Sequence, residues 1–212
     1  MILYLLLFLL TNSTKIIELN NNNLVNIYGT INKNSAIKFN NDIMNKTKYS
    51  KNINVYIKSP SGSVIDGNNI ITTINMLKEK NYTINCITDF SASMAFIIIQ
   101  SCSNRYGLPH VTMMQHQMSL GIKGDINRIN SYFSYINYVK YSLNKMQSDR
   151  IGIKYEVFND IIKDEWWNYG NQNIELNILD DIVYINCNGE FEDYYLETFF
   201  YDIDYKGCPL FN

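Results

Sequence analysis

The distribution of hydrophobic residues along the chain predicts alternating strands and helices. Short runs rich in β-branched residues, bounded by polar residues, are typical of buried strands. Between these runs, apolar residues recur every three or four positions, as they do on the buried face of a helix. A regular alternation of the two is typical of an α/β fold. The pattern predicts strands at 24–31, 54–58, 82–88, 105–108, 111–114 and 182–185, and helices at 36–45, 70–80, 93–101 and 157–162.

A much longer helix is predicted near the middle of the chain. Hydrophobic residues step by three or four from Ile126 to Met146 without interruption, which predicts a helix of about 25 residues and about 37 Å. Gly152 is placed to cap its end. The helix lies either across the sheet or as an arm against another subunit. Its polar face is rich in Asn, Ser and Tyr with little charge, which favours contact over solvation.

The two ends of the chain depart from the alternating pattern. Residues 1–10 are continuously apolar, which suits the hydrophobic region of a signal peptide and is too short to span a bilayer. Because no basic residue precedes them, a propeptide or a segment that packs on the fold is an equal alternative. Residues 189–212 interleave aromatic with acidic residues, which favours a packed tail or a docking peptide over disorder. We therefore expect an N-terminal segment at 1–20, one domain at 21–188 and a tail at 189–212.

The composition argues against several classes of function. The net charge is −2, and Lys, Asp and Glu are interspersed, so we expect no nucleic-acid partner. The four cysteines form no Cys-X-X-Cys or Cys/His cluster, so we expect no metal site. Cys86 and Cys102 lie in apolar runs, where a thiol behaves as a small hydrophobe. We therefore expect mostly free thiols, with disulfides only in a secreted chain.

Three short motifs combine into a candidate serine hydrolase site. Ser93 begins a predicted apolar helix, where free N–H groups and the helix dipole stabilise an oxyanion. His116 follows a predicted strand, and an imidazole beside a serine hydroxyl activates it by taking its proton. The Met94 N–H is the natural first oxyanion donor. The small-residue turn at Ser61 and Gly62 suits a second donor, because it lets backbone approach a substrate closely.

These motifs resemble those of the proteolytic subunit of the Clp protease family, within the wider crotonase-like fold. The family's Ser-Pro-Gly-Gly-Ser-Val turn resembles residues 59–64, its Ala-Ala-Ser-Met motif resembles residues 91–94, and its Met-Ile-His-Gln motif resembles residues 114–117. A Leu-Pro pair before the last motif and a Gly-rich link into a long helix are also similar. The resemblance covers residues 24–186. It implies a repeated ββα superhelix with a protruding handle helix.

The resemblance implies a catalytic triad of Ser93, His116 and Asp164. In the family, the third member is an Asp that follows a basic residue and stands two positions before an aromatic one, and Asp164 fits. Glu165 is a competitor, since it stands two positions before Trp167 and at the family's distance from the later Leu-Asp pair. Asp164 is preferred because only it has the basic predecessor and the shorter side chain.

The oxyanion donors implied by the resemblance are the N–H groups of Met94 and Ser61. Ser61 stands where the family has the glycine whose N–H serves this purpose. Serine supplies the same group provided that its backbone need not adopt a glycine conformation. The oxyanion hole is therefore the part of the site in which the sequence departs most from the family.

The function implied is a serine endopeptidase that acts as the proteolytic subunit of an ATP-dependent protease. Its partners would be peptides or unfolded proteins bound as an added strand, further copies in stacked heptameric rings, and an AAA+ unfoldase. The chain has no P-loop, so the unfoldase alone would use ATP and the chain would bind no cofactor. The location implied is cytoplasmic, with membrane contact or a secretory route only through residues 1–14. Alternatives are a non-catalytic ring subunit, a signal-peptide-peptidase-like protease and an acyl-CoA-processing enzyme. The last fits poorly, because the Ser-Met and His-Gln motifs would have no catalytic role in it.

Overall fold

A seven-stranded β-sheet forms the centre of the fold. The computed structural model describes residues 15–188 and 207–211. The strands are β1 Lys15–Leu19, β2 Leu24–Tyr28, β3 Asn52–Ser59, β4 Thr83–Ala92, β5 Asn104–Gln115, β6 Trp166–Tyr169 and β7 Asp181–Cys187. They lie in the order β1-β7-β5-β4-β3-β2 with every neighbouring pair parallel, and β6 adds an antiparallel pairing to β5.

The helices pack mainly on one face of this sheet. They are α1 Lys33–Lys46, α2 Val64–Glu79, α3 Met94–Ser101, α4 Ile126–Ile151, α5 Tyr155–Ile161 and α6 Gln172–Glu175, with a short 3-10 helix at Pro209–Phe211. Val55 and Ile57 of β3 face the larger core with the buried residues of α1, α2 and α3. Tyr56, between them, faces the opposite side and joins a smaller cluster of strand residues. The predicted α/β class is confirmed.

Most of the predicted elements are present, with ends shifted by a few residues. The helix predicted at 70–80 begins earlier, at Val64. The two strands predicted around Pro109 are wrong, because β5 is one strand of 12 residues. Its pairing with β4 is interrupted between Gly107 and Thr112. Pro109 lies inside this interruption, so β4 requires no N–H from it. The sequence patterns missed β1, β6 and α6.

The arm-like helix α4 is confirmed over 26 residues, which corresponds to about 39 Å. The Asp125 side chain caps its start by accepting from Arg128 N–H at 2.9 Å, and Gly152 ends it with φ 85°. Its buried residues all lie at its C-terminal end, from Leu143 to Ile151. Residues 126–142 are exposed or half-exposed, so this part of the helix projects from the domain and does not lie across the sheet.

The expectation of free thiols is wrong for all four cysteines. Cys86 of β4 is bonded to Cys102, and Cys187 of β7 is bonded to Cys208. The chain leaves β4 and returns along α3, which brings the Cys86 and Cys102 Cα atoms to 6.0 Å. This proximity depends on how α3 packs and cannot be seen in the spacing of the cysteines. Disulfide geometry requires such a separation.

The predicted end segments lie largely outside the described residues. Of the segment predicted at 1–20, β1 pairs in parallel with β7, so residues 15–19 belong to the sheet. Residues 1–14 and 189–206 lie outside the described residues. Near the other end, the Gly207 carbonyl accepts a hydrogen bond from Asn26 Nδ2 at 3.1 Å, beside the Cys208 disulfide. No helix within the described ranges is long and apolar enough to cross a membrane.

Candidate active site

Ser93 occupies the single residue between β4 and α3. Its backbone has φ 57° and ψ −116°, a conformation that is uncommon for a residue other than glycine and persists only where the surroundings fix it. Its N–H donates to the Met114 carbonyl of β5 at 2.9 Å, which holds the turn against the neighbouring strand. Its side chain makes no capping bond to the helix. The hydroxyl is therefore presented outside the helix and stays available.

His116 lies beside this hydroxyl, immediately after the end of β5. His116 Nε2 is 2.9 Å from Ser93 Oγ, which is within the range for direct proton transfer. Both side chains are half-buried, so they remain open to a substrate. The His116 N–H donates to Gln115 Oε1 at 3.0 Å. The structure thus brings together the serine and the histidine that the sequence analysis singled out.

The N-terminus of α3 supplies the first candidate oxyanion donor. Met94 is its first residue, and the first N–H groups of a helix have no acceptor within it. The helix dipole places partial positive charge at this end. Gly67 of α2 lets Met94 lie close, since a Cβ on Gly67 would lie 2.4 Å from Met94 Cε. The Met94 N–H therefore lies next to Ser93 in a closely packed setting, as predicted from the helix start.

The second candidate donor is Gly62 and differs from the predicted Ser61. The Ser61 carbonyl accepts from Ile31 N–H at 3.0 Å, and Ser63 N–H donates to the Ile31 carbonyl at 2.8 Å. Because backbone groups of successive residues in extended chain point to opposite sides, the Gly62 N–H points away from Ile31. That direction is the side of β4, whose last residue, Ala92, precedes Ser93. The Ser61 N–H points with its own carbonyl towards Ile31, so the geometry favours Gly62.

Neither acidic residue named from the sequence contacts the imidazole. β5 and β6 pair in antiparallel register, with Gln115 opposite Trp166. The ladder ends at this pair, and the same register continued by one position would set Glu165 opposite His116. Asp164 lies one residue further from the ladder, and both acidic residues are exposed. Within the described part of the chain, no carboxylate bonds to His116 Nδ1, and Glu165 Oε2 instead accepts from the Trp167 indole N–H at 2.9 Å. The register therefore favours Glu165 over Asp164.

A buried guanidinium ties together the elements that carry the site. Arg105, at the start of β5, is 2% exposed. It donates to Gln100 of α3 at 2.7 Å and makes an ion pair with Asp180 at 2.5 Å. Partial burial opposes ionisation of Asp180, but the hydrogen bonds and charge of Arg105 outweigh it, so the pKa of Asp180 is lowered. The helix behind Ser93 and the strand leading to His116 thus share one ionic anchor.

A parallel α/β sheet with a serine on a strained strand-to-helix turn, bonded to a histidine, defines the class of serine hydrolases. The sequence profile of the Clp protease family matches residues 11–186. The chain is also 31% identical over 133 residues to the ATP-dependent Clp protease proteolytic subunit 1 of Prochlorococcus marinus (strain NATL2A), an alignment that covers 62% of this chain and 67% of that protein. The chain belongs to the Clp protease family. It is a serine-type peptidase subunit, as the motifs predicted.

Proposed function

We propose that this chain hydrolyses peptide bonds with Ser93 as the nucleophile and His116 as the general base. The observation that carries the proposal is the 2.9 Å contact between Ser93 Oγ and His116 Nε2 at the N-terminus of α3. Ser93 Oγ attacks the scissile carbonyl carbon while His116 Nε2 takes its proton. The Met94 and Gly62 N–H groups stabilise the negative oxygen of the tetrahedral intermediate.

The same two side chains carry out the remaining steps of the reaction. The protonated His116 gives its proton to the leaving amine, which breaks the C–N bond and leaves an ester on Ser93. Water then attacks the ester carbonyl and gives a proton to His116, and the tetrahedral intermediate collapses to release the acid. The serine hydroxyl regains its proton from His116 at the end of the cycle.

Glu165 is the carboxylate we propose to orient His116. The support is the register of β5 and β6, which would set Glu165 opposite His116 if continued one position past Gln115 and Trp166. Rotation of its side chain from the Trp167 indole to His116 Nδ1 would complete the triad. Asp164 remains the second candidate, and the two carboxylates form separate arms of the test below.

The substrates we propose are unfolded proteins, fed by an ATP-dependent unfoldase of the Clp type. Membership of the family and the printed name of the Prochlorococcus relative support this pairing. Stacked heptameric rings, with α4 as the contact between rings, are the assembly we propose. The support for α4 in this role is its exposed aromatic surface, in which Phe133 is 56% and Tyr138 75% exposed.

The test is labelling of the purified chain with a fluorophosphonate, which reacts with activated serines. We expect labelling of the wild type, none in Ser93→Ala and a strongly reduced rate in His116→Ala. His110→Ala is the matched control, because His110 is exposed and bonds to the Tyr169 hydroxyl, away from Ser93. Glu165→Gln and Asp164→Asn identify the third member by which one slows labelling. An assembled wild type that is not labelled would instead support a non-catalytic ring subunit.

A further inference from the structure

A buried pair of glutamine side chains lies directly behind His116. Gln115 is the last residue of β5 and is 2% exposed, and Gln147 lies on the domain end of α4 and is fully buried. Gln115 Oε1 accepts the His116 N–H, and Gln115 Nε2 donates to Gln147 Oε1. Gln147 Nε2 donates to the Leu143 carbonyl within α4 at 3.1 Å. These bonds form a continuous chain from α4 to the backbone of His116.

Packing alone does not account for this pair. A buried amide without a partner costs about 1–3 kcal/mol, and a fully bonded amide pair is no more stable than apolar side chains of the same shape. What distinguishes the two amides is what they bond to, which is the backbone of His116.

His116 depends on this support because it lies beyond the end of the sheet. The ladder between β5 and β6 stops at Gln115 and Trp166, so the His116 N–H has no strand acceptor. Within the described residues, the hydrogen bonds of His116 are those to Gln115 and to Ser93. The bond to Ser93 is the one that the reaction uses. The bond to Gln115 is therefore the one that fixes the position of the ring relative to the nucleophile.

We propose that Gln115 and Gln147 are positioning residues, which set the place of His116 relative to Ser93 and connect it to the base of α4. The proposal rests on the proposed roles of Ser93 and His116. It follows that a displacement of the domain end of α4 is passed to His116 through two hydrogen bonds.

The test replaces the amides with apolar side chains of similar length, in Gln115→Met, Gln147→Met and the double variant. Three quantities are measured: the rate of fluorophosphonate labelling, kcat and KM for a short peptide, and urea unfolding. We expect Gln115→Met to lower the labelling rate and kcat by about 10- to 100-fold with KM unchanged, and Gln147→Met to have a smaller effect. In the double variant, stability recovers because both amides are gone, whereas the rate stays low.

Asn144→Leu is the matched control on the same helix. Asn144 is also a buried amide of α4, but it donates to Asn159 Oδ1 in α5 at 2.8 Å and has no bond to His116. This variant should lose stability and keep its labelling rate within about twofold. If it slows labelling as much as Gln115→Met does, general loosening of α4 explains the loss and the proposal is overturned. Full recovery of the rate in the double Met variant overturns it too.

A spectroscopic readout separates this proposal from the proposed function. The chain contains two histidines, His110 and His116, so ring signals from protein labelled with ¹³C-histidine report on His116 without any turnover. We expect the His116 signal to shift in Gln115→Met and to stay in place in Asn144→Leu. A shift supports the positioning role even if the wild type fails to react with the fluorophosphonate. An unchanged His116 signal in Gln115→Met overturns it.

Discussion

Gly62→Ala tests the proposed oxyanion hole most directly. Gly62 forms a backbone bridge with Ile31, and a Cβ added to it would lie 2.3 Å from Ile31 Cβ and 2.7 Å from Ile31 Cα. Carbon atoms in favourable contact stay about 3.5–4.0 Å apart, so one of the two segments must move by more than about 1 Å. Ile31 is fully buried, so the turn that contains Gly62 is the segment that moves.

The movement carries the Gly62 N–H away from the developing oxyanion. Removal of one such donor lowers kcat by about 10²- to 10³-fold, or about 2.7–4 kcal/mol of transition-state stabilisation. The same overlap lowers the free energy of unfolding by about 1–3 kcal/mol. At the middle of these ranges the loss of transition-state stabilisation exceeds the loss of folding stability. KM should change little because the lost bond forms mainly in the transition state.

The assay is steady-state hydrolysis of a short fluorogenic peptide, with urea unfolding measured on the same sample. Ser61→Ala is the matched control, because Ser61 is exposed, adjacent and keeps its N–H when the side chain is shortened. We expect its kcat to stay within about threefold of the wild type. A folded Gly62→Ala protein with wild-type kcat would refute the assignment of the Gly62 N–H to the oxyanion hole.

Three further predictions concern the scaffold. The bonds from Arg105 lower the pKa of Asp180. The stability that Asp180 contributes is therefore present above the ordinary carboxyl pKa of about 4 and is lost as the pH falls through the lowered value. Urea unfolding between pH 2 and 6 should show this loss, and Asp180→Asn should remove the pH dependence. The Cys86–Cys102 bond spans 16 residues, so replacing both cysteines with Ala should lower the free energy of unfolding by at least about 3 kcal/mol. Tyr138→Asp should weaken assembly in sedimentation velocity without changing stability, because Tyr138 is 75% exposed.

Each of these has an outcome that contradicts it. An acid dependence of stability that persists unchanged in Asp180→Asn would assign the effect to other carboxyl groups. Four reactive thiols in protein unfolded without reductant would show that the disulfides are absent. Unchanged sedimentation of Tyr138→Asp, with the wild type assembled, would exclude this face of α4 from the contact between subunits.

The sequence predicted those elements whose local pattern is sufficient by itself. The long helix ending at Gly152 has an uninterrupted apolar stripe and a glycine cap, so its length follows from the pattern alone. β6 is different, because four residues with two tryptophans give no clear period. It is a strand because it pairs with the end of β5, and a contact with a distant segment leaves no local signal.

The same division explains the candidate site. Ser93 and His116 were recognisable because each stands in a distinctive local motif. The choice between Asp164 and Glu165 rested on spacing, yet the position next to His116 is decided by the register of β6 against β5. The second oxyanion donor likewise depends on which residue of the turn bridges to Ile31, since that bridge sets the direction of each N–H.

β5 is the element that makes these separate motifs into one site. Its first half carries Arg105, whose guanidinium bonds to Gln100 in the helix that begins at Ser93. Its second half bonds through the Met114 carbonyl to the N–H of Ser93 itself and then leads directly to His116. β5 therefore holds both ends of α3, at Ser93 and at Gln100, and also carries the base at its own end. Because the interruption at Pro109 separates the two halves, the strand can change its partner from β7 to β6 while it keeps both anchors in place.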